Sequence, residues 1–218
     1  SGSGKSTLAH HVLYRALARA LGQRDVERPG EHAGLAGHEA VTAVELVDQS
    51  PLGRTSRGNA ATYSGAWTRL RALLAQQPEA EIHDLSPSHF SFNVALGRCA
   101  ACAGEGAETV EMQFLADVRL TCVVCQGKRF QAEVLAVRLH GRSVADLLAM
   151  NGAEALALCA DERAITRSLR PLAALGLGYL PLGQPLSTLS GGEAQRLKLA
   201  RALAKVKRGT LLIVDEPS

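Results

Sequence analysis

A chain of 218 residues with 24 lysines and arginines against 21 aspartates and glutamates, formally +3, is long enough for one or two domains and for burial of roughly 70% of its unfolded surface. That charge permits contact with nucleic acid but does not argue for it. No run of 18 apolar residues and no charged-then-apolar leader occurs, so neither a membrane span nor a signal peptide is expected and the cytoplasm is the expected compartment.

The first seven residues, Ser1-Gly-Ser-Gly-Lys-Ser-Thr7, make up most of a G-x-x-x-x-G-K-S phosphate loop. Its complete form needs a glycine one position before Ser1, so the sequence reads as a fragment. Gly4 lets the backbone curl round phosphates, Lys5 reaches the β and γ phosphates, and Ser6 offers a hydroxyl to magnesium; Gly2 and Thr7 complete the loop. A Gly-Ser linker before a helix is the rival reading, and Lys5-Ser6-Thr7 at the helix start weighs against it. Leu8, Ala9, Val12, Leu13, Ala16, Leu17, Ala20 and Leu21 form an apolar stripe of four helical turns, stopped at Gly22. Residues 23–37 turn polar and read as a surface connection. Val41 to Val47 is the first predicted strand, and Asp48-Gln49-Ser50-Pro51 is the turn after it. The loop from Gly53 to Tyr63 carries Arg54 and Arg57, suited equally to phosphates or to water.

A helix from Trp67 to Gln76, stopped by Pro78, precedes the most specific feature of the middle region. Cys99-Ala-Ala-Cys102 and Cys122-Val-Val-Cys125 have the spacing of a four-cysteine zinc site, each followed by a glycine turn, with a strand expected from Val110 to Leu115 between them. Disulfides are the alternative, disfavoured in a cytosolic chain. Cys159, in an apolar helical stretch, reads as a core residue. Lys128-Arg129-Phe130, and Arg142 after an expected strand from Val134 to Leu139, offer a possible nucleic-acid face or ordinary solvated charge. Ser143 with Asp146 predicts a capped helix ending at Asn151-Gly152, and a second helical run reaches Leu175.

Leu189-Ser-Gly-Gly-Glu-Ala-Gln195 opens a further helix. Ser190 and Glu193 form a capping box, and Gly191 and Gly192 let backbone N–H groups approach an anion at the positive helix end. Leu199, Leu203 and Val206 mark its apolar side, with Arg196, Lys198, Arg201 and Lys205 on other faces. Leu211-Leu-Ile-Val-Asp-Glu-Pro-Ser218 then reads as a buried strand ending in Asp215 and Glu216.

Phosphate loop, LSGGEAQ, then four apolar residues and Asp-Glu is the order of an ABC-type ATPase. Together with Asp48-Gln-Ser-Pro51, Gly53-Arg-Thr55, Phe90-Ser-Phe-Asn93 and Glu111-Met112 inside the cysteine module, the chain resembles the UvrA family of bacterial excinuclease ATPases, and specifically the second ATPase half of such proteins. It departs from the family pattern near Ser56, Ala60 and Ser218 and across the 23–37 connection. The resemblance implies an α/β fold: a P-loop ABC-type ATPase core with an inserted, mostly helical signature domain carrying a four-cysteine zinc module. The expected division is 1–60 as the first part of the core, 61–208 as the signature domain (zinc module about 97–130, LSGGEAQ helix 189–207), and 209–218 as the returning strand. The implied function is ATP-dependent recognition of damaged double-stranded DNA in nucleotide excision repair, by a homodimer that loads the helicase-like component of the excinuclease. The implied cofactors are ATP, Mg2+ and Zn2+. In that family Lys5 and Ser6 bind nucleotide and magnesium, Asp215 holds magnesium, Glu216 orients or deprotonates the attacking water, and Gln49 touches the magnesium and that water. Ser190, Gly191 and Gly192 close over a nucleotide held by the other half. Cys99, Cys102, Cys122 and Cys125 would hold zinc, and Arg54, Arg57, Lys128, Arg129 and Arg142 would face DNA phosphates. A drug-resistance relative of the same family and a zinc-stabilised interaction module with a decayed ATPase are the alternatives.

Overall fold

The computed structural model describes residues 3–48, 50–52, 57–110, 112 and 118–215. Gly2, Gln49, Arg54 and Glu216 lie outside the described residues. In chain order the elements are a π-helical run (Thr7–Tyr14) continuing into α1 (Arg15–Ala20), β1 (Ala43–Val47), α2 (Ala60–Ser64), α3 (Ala66–Leu74), α4 (Pro78–Ile82), β2 (Ala107–Val110), β3 (Val118–Thr121), α5 (Ala132–Ala136), α6 (Val144–Ala149), α7 (Gly152–Leu158), α8 (Arg163–Ala174), a 3-10 turn (Leu186–Thr188), α9 (Gly191–Lys205) and β4 (Thr210–Val214). They form two compact units, Ser1–Leu52 with Ser190–Ser218, and Gly53–Leu189.

In the first unit β1 and β4 pair in parallel, in register from Ala43 opposite Thr210 to Val47 opposite Val214. Parallel neighbours require a crossover, and here the crossover contains the whole second unit. Leu17, Ala18, Val44 and Ile213 form the core, with Tyr14, Val26 and Leu35 packed around them. The wider π winding before α1 shifts the apolar stripe, so Leu8 is 63% and Leu13 37% exposed. The polar 23–37 connection is tied down along this helix: Gly30 N–H donates to His11 O at 2.8 Å, and Arg15 pairs with Glu27 at 2.6 Å. Helix α9 groups with this unit. The expected domain limits, which place the LSGGEAQ helix in 61–208, divide the chain differently. Its buried face is Ala194, Gln195, Leu197, Ala200 and Ala202, whereas Leu203 and Val206 are each 43% exposed.

The second unit is built of short capped helices. Its two ends meet at its own base, where Asn59 bridges Pro185, Ala61 N–H donates to Leu182 O and Leu186 N–H donates to Gly58 O. Asn59 is fully buried because it also caps α2 in a box with Thr62. Three expectations change here. Pro78 starts α4 instead of only ending α3, since a first-turn proline lacks only an N–H that the helix does not use. The strand expected from Val134 is helix α5, because Ala132, Glu133, Leu135 and Ala136 are strong helix formers and Val134 faces the core. Asn151 caps α7 with both Ala153 N–H and Glu154 N–H, so it opens a helix where an end was expected. Cys159 is buried, as expected of a core residue. No helix among the described residues is long and apolar enough to cross a membrane.

Candidate nucleotide site and metal centre

The candidate nucleotide site lies at the carboxyl ends of β1 and β4, where open parallel sheets present their ligand-binding loops. Gly4 sits at φ +78°, a left-handed conformation that glycine adopts without strain, and its carbonyl accepts the first helical hydrogen bond from Leu8. Lys5 is exposed and its Nζ donates to Ser3 Oγ at 3.2 Å. Asp215 follows β4 and makes three hydrogen bonds, with His10 beside its carboxylate. Its N–H donates to Val47 O at 3.0 Å, and its C=O accepts from Gln195 Nε2 at 2.6 Å. Ser6 Oγ donates to Oδ1 at 3.2 Å, and His10 Nε2 lies 3.0 Å from Oδ2. Ser6 and Asp215, expected to share magnesium, are therefore adjacent although far apart in sequence. His10 was not anticipated. Its position four residues after Ser6, on the same helical face, was the available signal.

Helix α9 begins as expected. Ser190 N–H and Oγ both donate to Glu193 Oε2, at 2.8 and 2.9 Å, and Glu193 N–H donates back to Ser190 Oγ at 3.3 Å. Gly191 has open space where a Cβ would stand, so the helix start is accessible to an anion. Eight residues beyond Ser190, Lys198 departs from the expected outward face. Its side chain is only 13% exposed, and Nζ contacts Asp48 O at 3.1 Å, Ser50 Oγ at 2.7 Å and Asp48 Oδ1 at hydrogen-bonding distance. Burial alone would raise the Asp48 carboxyl; the hydrogen bonds from Lys198 and Ser50 outweigh it and hold Asp48 below its ordinary value.

In the second unit Cys99, Cys102, Cys122 and Cys125 are all buried, none in a disulfide, with their four sulfurs within 4.8 Å of one another. The two knuckles are built alike. Cys99 N–H donates to Arg129 O at 2.8 Å and Cys122 N–H to Gly106 O at 3.1 Å, each reaching the residue four past the second cysteine of the other knuckle. Ala103 and Gln126 share φ +49°, and Gly106 and Arg129 have φ +75° and +73°. This repeated turn aims Gly106 N–H at Cys102 Sγ, at 3.2 Å, and Arg129 N–H at Cys125. Antiparallel β2 and β3 lead out of the first knuckle and into the second, with Ala107 opposite Thr121. Sulfurs around a tetrahedral zinc at about 2.3 Å are about 3.8 Å apart, and Cys102 and Cys125 stand at 3.6 Å. Burial pushes the Cys125 thiol up to about 12; the Arg129 N–H opposes this and the three neighbouring thiols add to it. Such thiols lose their protons when a divalent cation takes their place. The donor set fits zinc.

A family model described as ABC transporter matches residues 108–218, just over half of the sequence. The chain belongs to the ABC transporter family. Along its full length this ABC chain is 50% identical to the UvrABC system protein A of Thermus thermophilus and 48% identical to that of Methanothermobacter thermautotrophicus, spanning 23% of the length of each. It superposes on the crystal structure of UvrA2 from Deinococcus radiodurans with a TM-score of 0.86 at 46% identity, over 100% of this chain and 27% of that one.

The described basic residues of this ABC chain expected at DNA come from three separate stretches. Lys128 is exposed beside the second knuckle. Arg129 is half-buried, its guanidinium 5.9 Å from the centre of the Phe92 ring. Burial lowers its basicity, as does Arg119 nearby, while Cys102, Cys125 and Glu105 work in the other direction. Arg142 is exposed in a tight turn in which Leu139 and Arg142 exchange both backbone hydrogen bonds. Arg57 is half-buried ahead of α2.

Proposed function

We propose that the chain is the second ATP-binding half of a DNA-damage recognition protein of the UvrABC type, an ATPase working in the cytoplasm on damaged double-stranded DNA as a dimer and handing it to a helicase-like partner. The observation that carries this reading is the convergence of Ser6 and Asp215, from opposite ends of the sequence, at 3.2 Å beside the exposed Lys5. Lys5 binds the β and γ phosphates, with Gly2, Gly4 and Thr7 shaping the loop. Ser6 and Asp215 hold magnesium, which when bound neutralises charge on the phosphates. Glu216 orients the attacking water and Gln49 assists it. Ser190, Gly191 and Gly192 present α9 to a nucleotide on the other half. Residues 53–189 act as an insert ahead of the signature helix α9, and the four cysteines hold one structural zinc, all four positions being filled by protein.

The test uses the full-length protein. Lys5→Ala is expected to weaken ATP binding, whereas Glu216→Gln leaves binding intact and stops turnover, because only Lys5 holds ground-state phosphates. Equal loss of ATP affinity in both variants would contradict these roles.

A further inference from the structure

Two side chains three residues apart on α9 reach the ends of both strands. Gln195 Nε2 takes the carbonyl of Asp215 at the end of β4, and Lys198 takes the turn after β1. Positions three apart on a helix share a face, so one face of α9 grips both carboxyl ends of the parallel pair. The contacts of Lys198 match its chemistry. An ammonium has three donors, and three oxygens meet it: Asp48 O, Asp48 Oδ1 and Ser50 Oγ. Asp48 Oδ1 also accepts from Ser50 N–H at 3.3 Å and Ser50 Oγ at 2.7 Å, closing the turn around the cation. The two gripped residues are those on either side of position 49. The Lys198 side chain is 13% and the Asp48 side chain 32% exposed, so removing either partner leaves the other, partly desolvated, without its matched contact.

We propose that Lys198 is a positioning residue for ATP hydrolysis: from the helix that begins at Ser190, it fixes Asp48 and Ser50, the residues on either side of Gln49 in the sequence. The inference rests on the nucleotide reading above and adds a residue that acts through another. Because the grip is on Asp48 and Ser50 and not on Lys5, its loss lowers turnover without loosening nucleotide.

The experiment measures steady-state ATP turnover and, separately, equilibrium binding of a fluorescent ATP analogue in the full-length protein. Lys198→Met and Asp48→Asn should each lower kcat about tenfold, a fraction of what gross misplacement of a reacting group costs, with nucleotide affinity changed less than about twofold. The double variant should be no slower than the slower single one, because both remove the same contact. Lys198→Arg keeps the charge but replaces a compact three-donor head with a planar fork, and should not restore kcat. Ser50→Ala removes one acceptor without leaving a charge unpaired, so it tests the turn if the other variants fold poorly; about a threefold loss of kcat is expected. Turnover within twofold of wild type in Lys198→Met, full rescue by arginine, additive losses in the double variant, or matched losses of affinity and kcat would overturn the inference. A wild-type parent that turns over no ATP overturns the nucleotide reading and this one together; an active parent indifferent to Lys198 overturns this one alone.

Discussion

Among single residues, Trp67 links the four-cysteine cluster to a measurable signal. It is the chain's one tryptophan, and its Nε1 donates to Phe90 O at 3.0 Å. Its ring stacks on Phe92 at 5.3 Å, and Phe92 meets Phe130, directly after the second knuckle, at 5.3 Å. Cys122→Ser should therefore reduce bound zinc from about one per chain to near none, and tryptophan emission should move to longer wavelength as this aromatic run loosens. Unchanged zinc on metal analysis would contradict the four-cysteine assignment. The same geometry separates Lys128 from Arg129. If Lys128 meets a DNA phosphate, Lys128→Ala should weaken binding to all duplexes alike and reduce the steepness of the salt dependence by about one, leaving thermal stability unchanged. Arg129, over Phe92 and in a left-handed conformation, should lower the melting temperature when replaced by alanine, because its loss removes packing as well as charge. A salt titration with a melting curve on each variant distinguishes the two.

At the scale of elements, the caps explain why so short a set of helices holds. Ser143 Oγ accepts from Asp146 N–H, and the Asp146 carboxylate accepts from Ser143 N–H at 2.8 Å and Ser143 Oγ at 2.7 Å. Ser143→Ala should cost about 1 kcal/mol in denaturant unfolding. Those hydrogen bonds, aided by Arg138 and Arg142 and opposed by burial, hold Asp146 below the usual carboxylate range. A carboxyl with a lower value folded than unfolded contributes fully above the unfolded value and loses that contribution as pH falls. Stability should decline below about pH 5, and Asp146→Asn should flatten that part of the curve. Gly97 tests a closer approach: a Cβ there would stand 2.1 Å from His89 O and 2.8 Å from Val134 Cγ2, so Gly97→Ala should destabilise by about 3 kcal/mol. The caps at Ser143 and Ser190 and the cysteine turns were legible in the sequence, because each is a local pattern with a fixed spacing. Helix α5 was not, since Val134 and Val137 suggest a strand until Ala132, Leu135 and Ala136 are weighed with them. The grip of Lys198 was not legible either, because its partners lie about 150 residues away in sequence and a lysine on a helix ordinarily points to water.

For the molecule as a whole, the pairing of β1 with β4 sets a schedule. The second unit closes on itself, Asn59 against Pro185, before the chain reaches Ser190, whereas β1 must wait for its partner. In refolding, protection of the amides between 59 and 185 should precede protection of the 43–47 strand, as pulsed hydrogen exchange would record; simultaneous protection of the two would contradict this order. On a ribosome the delay becomes a matter of time. At 5 to 20 residues per second the interval between synthesis of β1 and of β4 is about 10 to 30 s, during which the apolar edge of Val44 and Leu46 is without the strand that covers it. The newborn chain thus passes through a period in which its inserted unit can be folded while its first strand is still open to other edges.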